Sequence, residues 1–465
     1  MKLYAPNIHL FAFQLYKSSN IDLNNSSINQ NFLWNTGDEI VNNTLNKKDL
    51  HLHQQIDVNK EPNNPRVDLL KDTEIIDDNY AVTFDGKIPL DQNQDLLIKG
   101  FAHPLRLYDS YSLWLNLRRP EKVNNNHTDD VDIAFLRKLN SNNCLIVKSN
   151  PLFLGQTLLI TGWLTGAKDK QITQQIANEC LKSIFHGYPL PPFNRQGELF
   201  GSPIFEYGLF SQLANYQHVL IWLFVDEQAD ANLNKCQQEL LDLFFFRTKA
   251  VKAFKDSREI YKALDLAYRQ IETILEQLPK IESSINTDLE DLKNKLKQLP
   301  QLSLTYTRLL RNLEDYQNTI VINTHNYAER LQQIRDFTNS DITFLENFSQ
   351  KNSPFFQQQI TADLGYFRHG SELLSQAIDS IRGIVEIEQA KRDRSLENTI
   401  QILGIGFGGG AIVSGVVVQH IDKISQPLAA ISPDNQPHPF FASLILSIIA
   451  TLLFTALGWC ITKRR

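Results

Sequence analysis

The chain has 465 residues, which predicts about two or three domains. It is 42% hydrophobic and 21% charged, which is typical of folded proteins, and its net charge of −6 gives no basic field that would favour nucleic acid as a partner. The four cysteines, Cys144, Cys180, Cys236 and Cys460, lie far apart in the sequence. This spacing excludes CxxC zinc or redox motifs and gives no sign of a disulfide framework.

Residues 1–226 are expected to form a mixed α/β cytoplasmic domain with Asn- and Asp-rich loops. Apolar patterns predict strands at 7–16, 104–117, 154–164 and 217–225, and helices at 131–139 and 171–185. Residues 17–96 contain many Asn and Asp residues and few apolar runs, so we expect loops, short strands and partial disorder there. The order strand–helix–strand–helix–strand permits a ferredoxin-like or related α/β sandwich.

A glycine-containing segment between a predicted strand and a predicted helix has the setting of a phosphate-binding loop. It reads Gly162-Trp-Leu-Thr-Gly166-Ala167-Lys168-Asp169. A P-loop needs four residues between its glycines and then Gly-Lys-Ser/Thr, but here Ala167 intervenes and Asp169 replaces the hydroxyl. We therefore predict a tight turn in which Asp169 caps the following helix. Without a GxSxG or HExxH motif, we predict no catalytic, cofactor or metal site and expect that the protein is not an enzyme.

Residues 188–207 form the most distinctive predicted loop, because they combine several prolines with aromatic and charged side chains. Arg195, Glu198 and Glu206 make this segment a candidate binding loop, since loops often carry function. A simpler interpretation is that the segment packs over the edge of the sheet.

Residues 227–398 are predicted to form a helical, coiled-coil stalk. Apolar residues repeat at multiples of seven at Leu233, Leu240, Phe254, Tyr261, Tyr268 and Leu275, with companion positions at Cys236, Leu243, Ala250, Leu264, Ile271 and Leu278. Arg247 and Ser257 interrupt this seam. Pro279 and Pro300 are expected to end helices, so that the segments double back and pack on one another. After Pro354 no proline occurs through residue 418, so one helix is able to continue from the stalk into a membrane.

Two apolar segments predict a two-helix membrane domain in residues 399–465. Residues 400–418 and 440–461 contain no charged side chain, and the shorter of them spans about 28 Å as a helix, close to the thickness of the bilayer core. Basic residues flank the pair at Lys391, Arg392, Arg394, Lys463, Arg464 and Arg465, whereas the connecting loop 419–438 has only Lys423. The positive-inside rule therefore predicts a multi-pass protein of the plasma (inner) membrane with both termini in the cytoplasm.

The first apolar segment is rich in small residues. The pairs Gly404 and Gly408, Gly406 and Gly410, and Ala411 and Gly415 are each four residues apart. This spacing favours close packing of membrane helices, either within the chain or between the subunits of a homo-oligomer. A pore lining is the alternative for Gly404, Gly408, Ala411 and Gly415. A nucleotide-binding loop is excluded, because no lysine and hydroxyl follow the glycines in the required order.

The layout resembles the CorA family of divalent-cation channels, and the stretch EIEQAKRDRSLENTIQILGIGFGGG at 386–410 resembles bacterial two-span proteins of CorA-like form. The resemblance rests on an α/β cytoplasmic domain, a helical stalk that enters the first of two C-terminal membrane helices, and the basic tail Lys463-Arg464-Arg465. The CorA family carries Gly-Met-Asn at the outer end of the first membrane helix. Here the single methionine is Met1, and residues 416–420 read Val-Val-Val-Gln-His, so no functional residue carries over.

These observations lead to three functional hypotheses. The first is a non-enzymatic, oligomeric membrane protein whose cytoplasmic domain senses a small ligand or a protein partner and is coupled to the bilayer through the stalk. The second, which the resemblance implies, is a divergent CorA-like cation channel or transporter. The third is a membrane-tethered enzyme, which the missing catalytic motifs disfavour.

Overall fold

The computed structural model describes residues 1–16, 31–46, 50–75, 80–90, 95–148, 150–166, 169–277, 288–429 and 439–463. The chain divides into two compact units. The first comprises Met1–Asp265 and Arg308–Arg368, and the second comprises Leu266–Thr307 and His369–Arg465. Each unit is therefore built from two separate stretches of the sequence.

The first unit contains an α/β domain built on one large sheet. In chain order the strands are β1 (Lys2–Leu15), β2 (Arg66–Asp68), β3 (Val82–Pro89), β4 (Asp95–Leu107), β5 (Ser110–Arg118), β6 (Lys122–Val123), β7 (Asn126–His127), β8 (Val131–Asp132), β9 (Phe153–Trp163), β10 (Phe193–Leu199), β11 (Ser202–Tyr207) and β12 (His218–Phe224). Strand β6 pairs with β7, and the others form a sheet in the order β10-β11-β12-β9-β1-β5-β4-β2, with β3 beside β4 and β8 beside β1. Strands β9 and β12 run parallel. The predicted α/β class is confirmed, but the sheet is much larger than a ferredoxin-like one.

Helices cover both faces of the sheet. The described helices are α1 (Phe32–Leu45), α2 (Leu52–Gln55), α3 (Leu136–Leu139), α4 (Lys170–Ile184), α5 (Glu227–Lys235), α6 (Gln237–Gln277), α7 (Asp288–Thr338), α8 (Thr343–Asn347), α9 (Ser353–Ala429) and α10 (Pro439–Lys463). On β1, Ile8 and Leu10 point into the hydrophobic core that α1 and α4 share. The opposite face carries Phe11, whose ring centroid lies 5.0 Å from that of Phe244 on α6. Polar side chains on this second face are therefore covered by a helix and need partners.

Helix α1 corrects the expectation that residues 17–96 lack regular structure beyond short strands. Leu33 and Trp34 lie seven residues before Ile40 and Val41, and all four side chains are fully buried. This spacing places them on one face of a helix. The surrounding Asn residues hide the pattern, because they make the segment polar as a whole.

The helix predicted at 171–185 is confirmed as α4, and so is its cap. The Asp169 carboxylate accepts a hydrogen bond from the backbone N–H of Ile172 at 2.8 Å. Cys180 is buried in the core, whereas Ile172 is exposed. Ala167 and Lys168 of the predicted turn lie outside the described residues.

The prediction that Pro300 ends a helix is wrong, because α7 continues through it. A proline inside a helix costs about 3 kcal/mol through a lost hydrogen bond and a steric clash. Leu292, Leu299 and Tyr306 lie at seven-residue intervals across the proline and are almost completely buried. Burial of each such side chain contributes about 1.5–3 kcal/mol and offsets the cost. Pro279 lies outside the described residues.

The predicted continuity between the last long helix and the first apolar segment is confirmed, since α9 runs unbroken for 77 residues. It also runs through the first part of the predicted loop 419–438, which is a correction. No glycine or proline occurs at residues 416–426, so nothing there favours a helix end. Both α9 and α10 contain a stretch that is long and apolar enough to cross a membrane.

Candidate functional site

The segment predicted as a binding loop is a β-hairpin formed by β10 and β11. Phe200 and Gly201 form its turn, both with positive φ, and such two-residue turns match the twist of antiparallel strands. The prolines that suggested a loop precede the first strand, except for Pro203, which is the second residue of the second strand. Proline is tolerated at the beginning of a strand.

The hairpin register brings together two of the three predicted binding residues. Arg195 on β10 lies opposite Glu206 on β11. The Nε and Nη2 atoms of Arg195 both lie 2.7 Å from Glu206 Oε2. Glu198 lies opposite Pro203 and its side chain is exposed, so it takes no part in this contact.

Two further side chains complete a buried ion cluster around Glu206. Arg247 of α6 donates from Nη2 to Glu206 Oε1 at 2.7 Å. His218 of β12 places Nε2 3.5 Å from the same oxygen, and its Nδ1 lies 2.8 Å from the Thr157 hydroxyl. Glu206, Arg247 and His218 are each at most 5% exposed. Charges this deeply buried are stable only when they are paired.

The protonation states follow from these contacts. Burial alone would raise the pKa of Glu206, but the His218 hydrogen bond and the charges of Arg247 and Arg195 hold it well below its usual range. Burial, reinforced by the Arg247 charge, lowers the pKa of His218 to about 4, so this ring is neutral at pH 7. Its Nε2–H therefore points to the carboxylate, and its Nδ1 accepts from Thr157. Two guanidinium groups and one carboxylate leave the cluster with a net positive charge.

Aromatic rings contact both guanidinium groups. The Arg247 guanidinium lies 5.2 Å from the ring centroid of Phe348 and 5.4 Å from that of Phe210. Arg195 lies over Phe344 at 3.9 Å. These cation–π contacts partly replace the water that the guanidinium groups lose on burial. In the sequence, the only sign of Arg247 is that it interrupts an apolar seam.

A cavity of about 510 Å³ lies beside this cluster. Its walls combine polar side chains with apolar ones, which include Val147, Phe153, Leu213 and Val251. Its charged lining residues are Arg247, Lys252 and Lys255, spaced along α6, and no Asp or Glu occurs among the described residues that line it. The volume and the combination of apolar walls with polar groups are typical of a small-molecule site. The arrangement is suited to an organic anion with an apolar part.

The small residues of the first apolar segment lie on opposite faces of α9. Gly406 and Gly410 are buried against α10, where a Cβ would collide with the hydroxyl of Thr455 or Thr451. The opposite, exposed face carries the four predicted packing or pore residues, Gly404, Gly408, Ala411 and Gly415. A Cβ added at Gly404, Gly408 or Gly415 would meet no described atom within 4 Å. These residues therefore do not form the contact with α10, and packing between subunits or a pore stays a prediction.

We expect the first unit to lose stability as the pH falls from about 6.5 to about 4.5. Burial lowers the pKa of His218 to about 4 and that of His9, beside Arg118, to about 3. In the unfolded chain histidine titrates near pH 6.5, so the unfolded state binds more protons than the folded state over this range. Lowering the pH from 6.5 to 4.5 therefore favours unfolding, by about 2 kcal/mol for each histidine.

Urea unfolding of the detergent-solubilised protein at both pH values, followed by tryptophan fluorescence, measures this loss. In His218→Gln, the loss of unfolding free energy between the two pH values should be about half that of the wild type, because His9 still titrates. Equal unfolding free energies of the wild type at the two pH values would show that neither ring is held neutral in the folded state.

Among the described residues, no group of three or more His, Cys, Asp or Glu side chains is arranged to hold a metal ion. The described cysteines are free thiols, and burial raises the pKa of Cys236 to about 12 and of Cys144 to about 11.

No protein-family model, curated protein or solved structure matches the chain.

Proposed function

We propose that the chain is a non-enzymatic, oligomeric membrane protein whose first unit, in the cytoplasm, binds a small organic anion. The observation that carries this proposal is the cavity beside Arg247, whose charged lining residues are all cations among those described. A site lined by cations and by no described carboxylate attracts anions and repels cations, and its partial enclosure by the protein strengthens both effects.

Lys255 is the residue we expect to contribute most to anion binding. Arg247 is already paired with Glu206, and Lys252 is paired with Asp256. Lys255 donates a hydrogen bond to the Ala214 carbonyl at 3.4 Å and forms no ion pair with any described residue. Its charge is therefore available to a ligand. Because the cavity also has apolar side chains in its walls, the ligand class we propose is a carboxylate that carries an aryl or alkyl group.

The same helix that lines the cavity extends beyond the first unit. Arg247, Thr248, Val251, Lys252 and Lys255 all belong to α6, which continues to Gln277 in the second unit. If α6 has two conformations, a ligand that binds one of them more tightly shifts the conformational equilibrium of the helix toward that one. We propose that this shift couples ligand binding to the membrane helices.

We expect 3-phenylpropionate to bind the wild-type protein and to bind Lys255→Gln at least tenfold more weakly. Tenfold corresponds to about 1.4 kcal/mol, the size of one partly desolvated charge interaction. Isothermal titration of the full chain in detergent measures both affinities. Lys262→Gln is the matched control, because Lys262 is exposed on the same helix and lies outside the cavity lining. Failure of the wild type to bind organic anions would contradict the proposal.

The apolar parts of α9 and α10 support the membrane part of the proposal. We propose that they cross the plasma (inner) membrane as spans 400–418 and 440–461, with both termini in the cytoplasm. Gly406 and Gly410 allow close contact between the two helices, as small residues do in membrane proteins. The exposed stripe Gly404, Gly408, Ala411 and Gly415 is then free to pack against a second copy of the chain.

A divergent CorA-like cation channel is the second candidate. The observation that favours it is the unbroken course of α9 from a polar segment into an apolar one. In a ring of subunits the small residues on the exposed face of α9 would line a pore. Ion flux into liposomes that contain the purified protein tests this candidate, and selective conductance would favour it over a purely sensing role.

A further inference from the structure

A second cavity, of about 420 Å³, lies on the same face of the sheet as the first. Strand β9 contributes to both, with Gly155 in the lining of the first cavity and Thr161, further along the strand, in the lining of the second. The second cavity lies between this end of the sheet and α5, which contributes Asp230 to its lining. Its lining is far more polar than that of the first cavity.

Cations outnumber acids around this second cavity. The basic residues of its lining are Lys99, Arg118, Arg119 and Lys122, and the acidic ones are Glu121 and Asp230. Lys99 and Arg118 lie directly opposite each other on β4 and β5, an arrangement that like charges disfavour. None of the four cations forms an ion pair with a described residue, and Glu121 already accepts a hydrogen bond from Trp163 Nε1 at 2.9 Å. The lining therefore has an excess of two positive charges.

Three residues of the lining carry a buried polar atom that has no hydrogen-bond partner among the described residues. These atoms are His9 Nε2, Asn116 Oδ1 and Arg119 Nε, and the three residues are at most 7% exposed. Buried polar groups are nearly always hydrogen-bonded, so three such atoms around one cavity indicate groups that a ligand satisfies.

Neighbouring contacts fix which of these atoms donate. The indole N–H of Trp114 donates to His9 Nδ1 at 3.1 Å, and an indole N–H cannot accept. Since burial keeps His9 neutral, its own proton is on Nε2. The cavity therefore offers donors from His9 and Arg119 and an acceptor from Asn116.

We propose that this second cavity binds a phosphomonoester that also carries hydroxyl groups, as a sugar phosphate does. A phosphomonoester has a charge of about −1.5 to −2 near neutral pH, which matches the excess of two positive charges better than a monocarboxylate does. Its oxygens accept from His9 Nε2–H and Arg119 Nε–H, and a ligand hydroxyl donates to Asn116 Oδ1. Charge-assisted bonds from the neighbouring cations hold the phosphate.

Isothermal titration of the full chain in detergent with glucose 6-phosphate, glucose and glutamate tests the proposal. We expect glucose 6-phosphate to bind, glucose not to bind, and Arg118→Gln and Lys99→Gln each to weaken binding at least tenfold. Both side chains are exposed, so neither substitution removes a buried contact. Arg137→Gln is the control, because Arg137 is exposed on α3 and lies outside the lining, and its affinity should equal that of the wild type.

Three results would overturn the proposal. The first is no binding of glucose 6-phosphate to the wild type. The second is binding that Arg118→Gln and Lys99→Gln leave unchanged. The third is binding of glutamate without glucose 6-phosphate, which would assign the cavity to a different class of anion.

Discussion

Glu206→Gln should destabilise the first unit by about 3–5 kcal/mol, because it leaves the buried guanidinium group of Arg247 and the partly buried one of Arg195 without their carboxylate. Glutamine has nearly the same shape, so the effect isolates the lost charge. Urea unfolding of the detergent-solubilised protein measures it, with the buried Trp222 on the adjacent strand as a fluorescent reporter. Glu198→Gln, on the same hairpin but exposed, should change the unfolding free energy by less than about 0.5 kcal/mol.

A triple variant separates the cost of unpaired charge from the cost of altered packing. Glu206→Leu, Arg195→Leu and Arg247→Met together remove every formal charge of the cluster while keeping much of its volume. Buried ion pairs can often be replaced by apolar residues at little cost, so this variant should be more stable than Glu206→Gln alone. If Glu206→Gln were no less stable than Glu198→Gln, the cluster would not be the buried network that its distances describe.

Gly410→Leu should separate α9 from α10, whereas Gly408→Leu should leave this pair of helices intact. A Cβ at Gly410 would collide with Thr451 Oγ1 and lie 3.4 Å from Thr451 Cα, so a leucine forces the helices apart. Overpacking of this kind costs about 1–3 kcal/mol. At Gly408 a Cβ meets nothing within 4 Å. Thermal unfolding in detergent should therefore show a lower midpoint for Gly410→Leu than for Gly408→Leu.

The same pair of variants tests the proposed oligomer. If the exposed stripe packs against a second copy, Gly408→Leu should reduce the oligomer to a monomer while keeping the helix pair. Light scattering coupled to size-exclusion chromatography in detergent measures the mass. An oligomer that persists unchanged in Gly408→Leu would rule out this face as the subunit interface.

Features that depend on local sequence could be predicted. Strand β1, helix α4 with its Asp169 cap, and the continuity of α9 each follow from a periodic pattern or a single capping residue. Helix α1 could not, because Asn residues dilute its apolar face. The prediction that Pro300 ends a helix is wrong for a different reason. Burial of apolar side chains on both sides of the proline outweighs the local cost of a proline inside a helix.

The candidate sites depend on contacts that sequence spacing does not encode. Glu206 and Arg247 are 41 residues apart, and the seam pattern presents Arg247 only as a defect. The two glycine stripes of α9 have the same four-residue spacing, and the choice between them depends on where α10 packs. His9 and Asn116 meet only because β1 pairs with β5.

The most direct test of the proposed coupling uses Cys460, the thiol next to the cytoplasmic end of the proposed span 440–461. Cys180 and Cys236 are buried, and burial raises the pKa of the partly buried Cys144 to about 11, so a thiol-reactive fluorophore should label Cys460 in preference. The labelled protein is reconstituted in vesicles and titrated with 3-phenylpropionate. Our account predicts a fluorescence change whose midpoint equals the dissociation constant, and a shift of that midpoint by at least tenfold in Lys255→Gln. Ligand binding on the same sample without any change at Cys460 would contradict it.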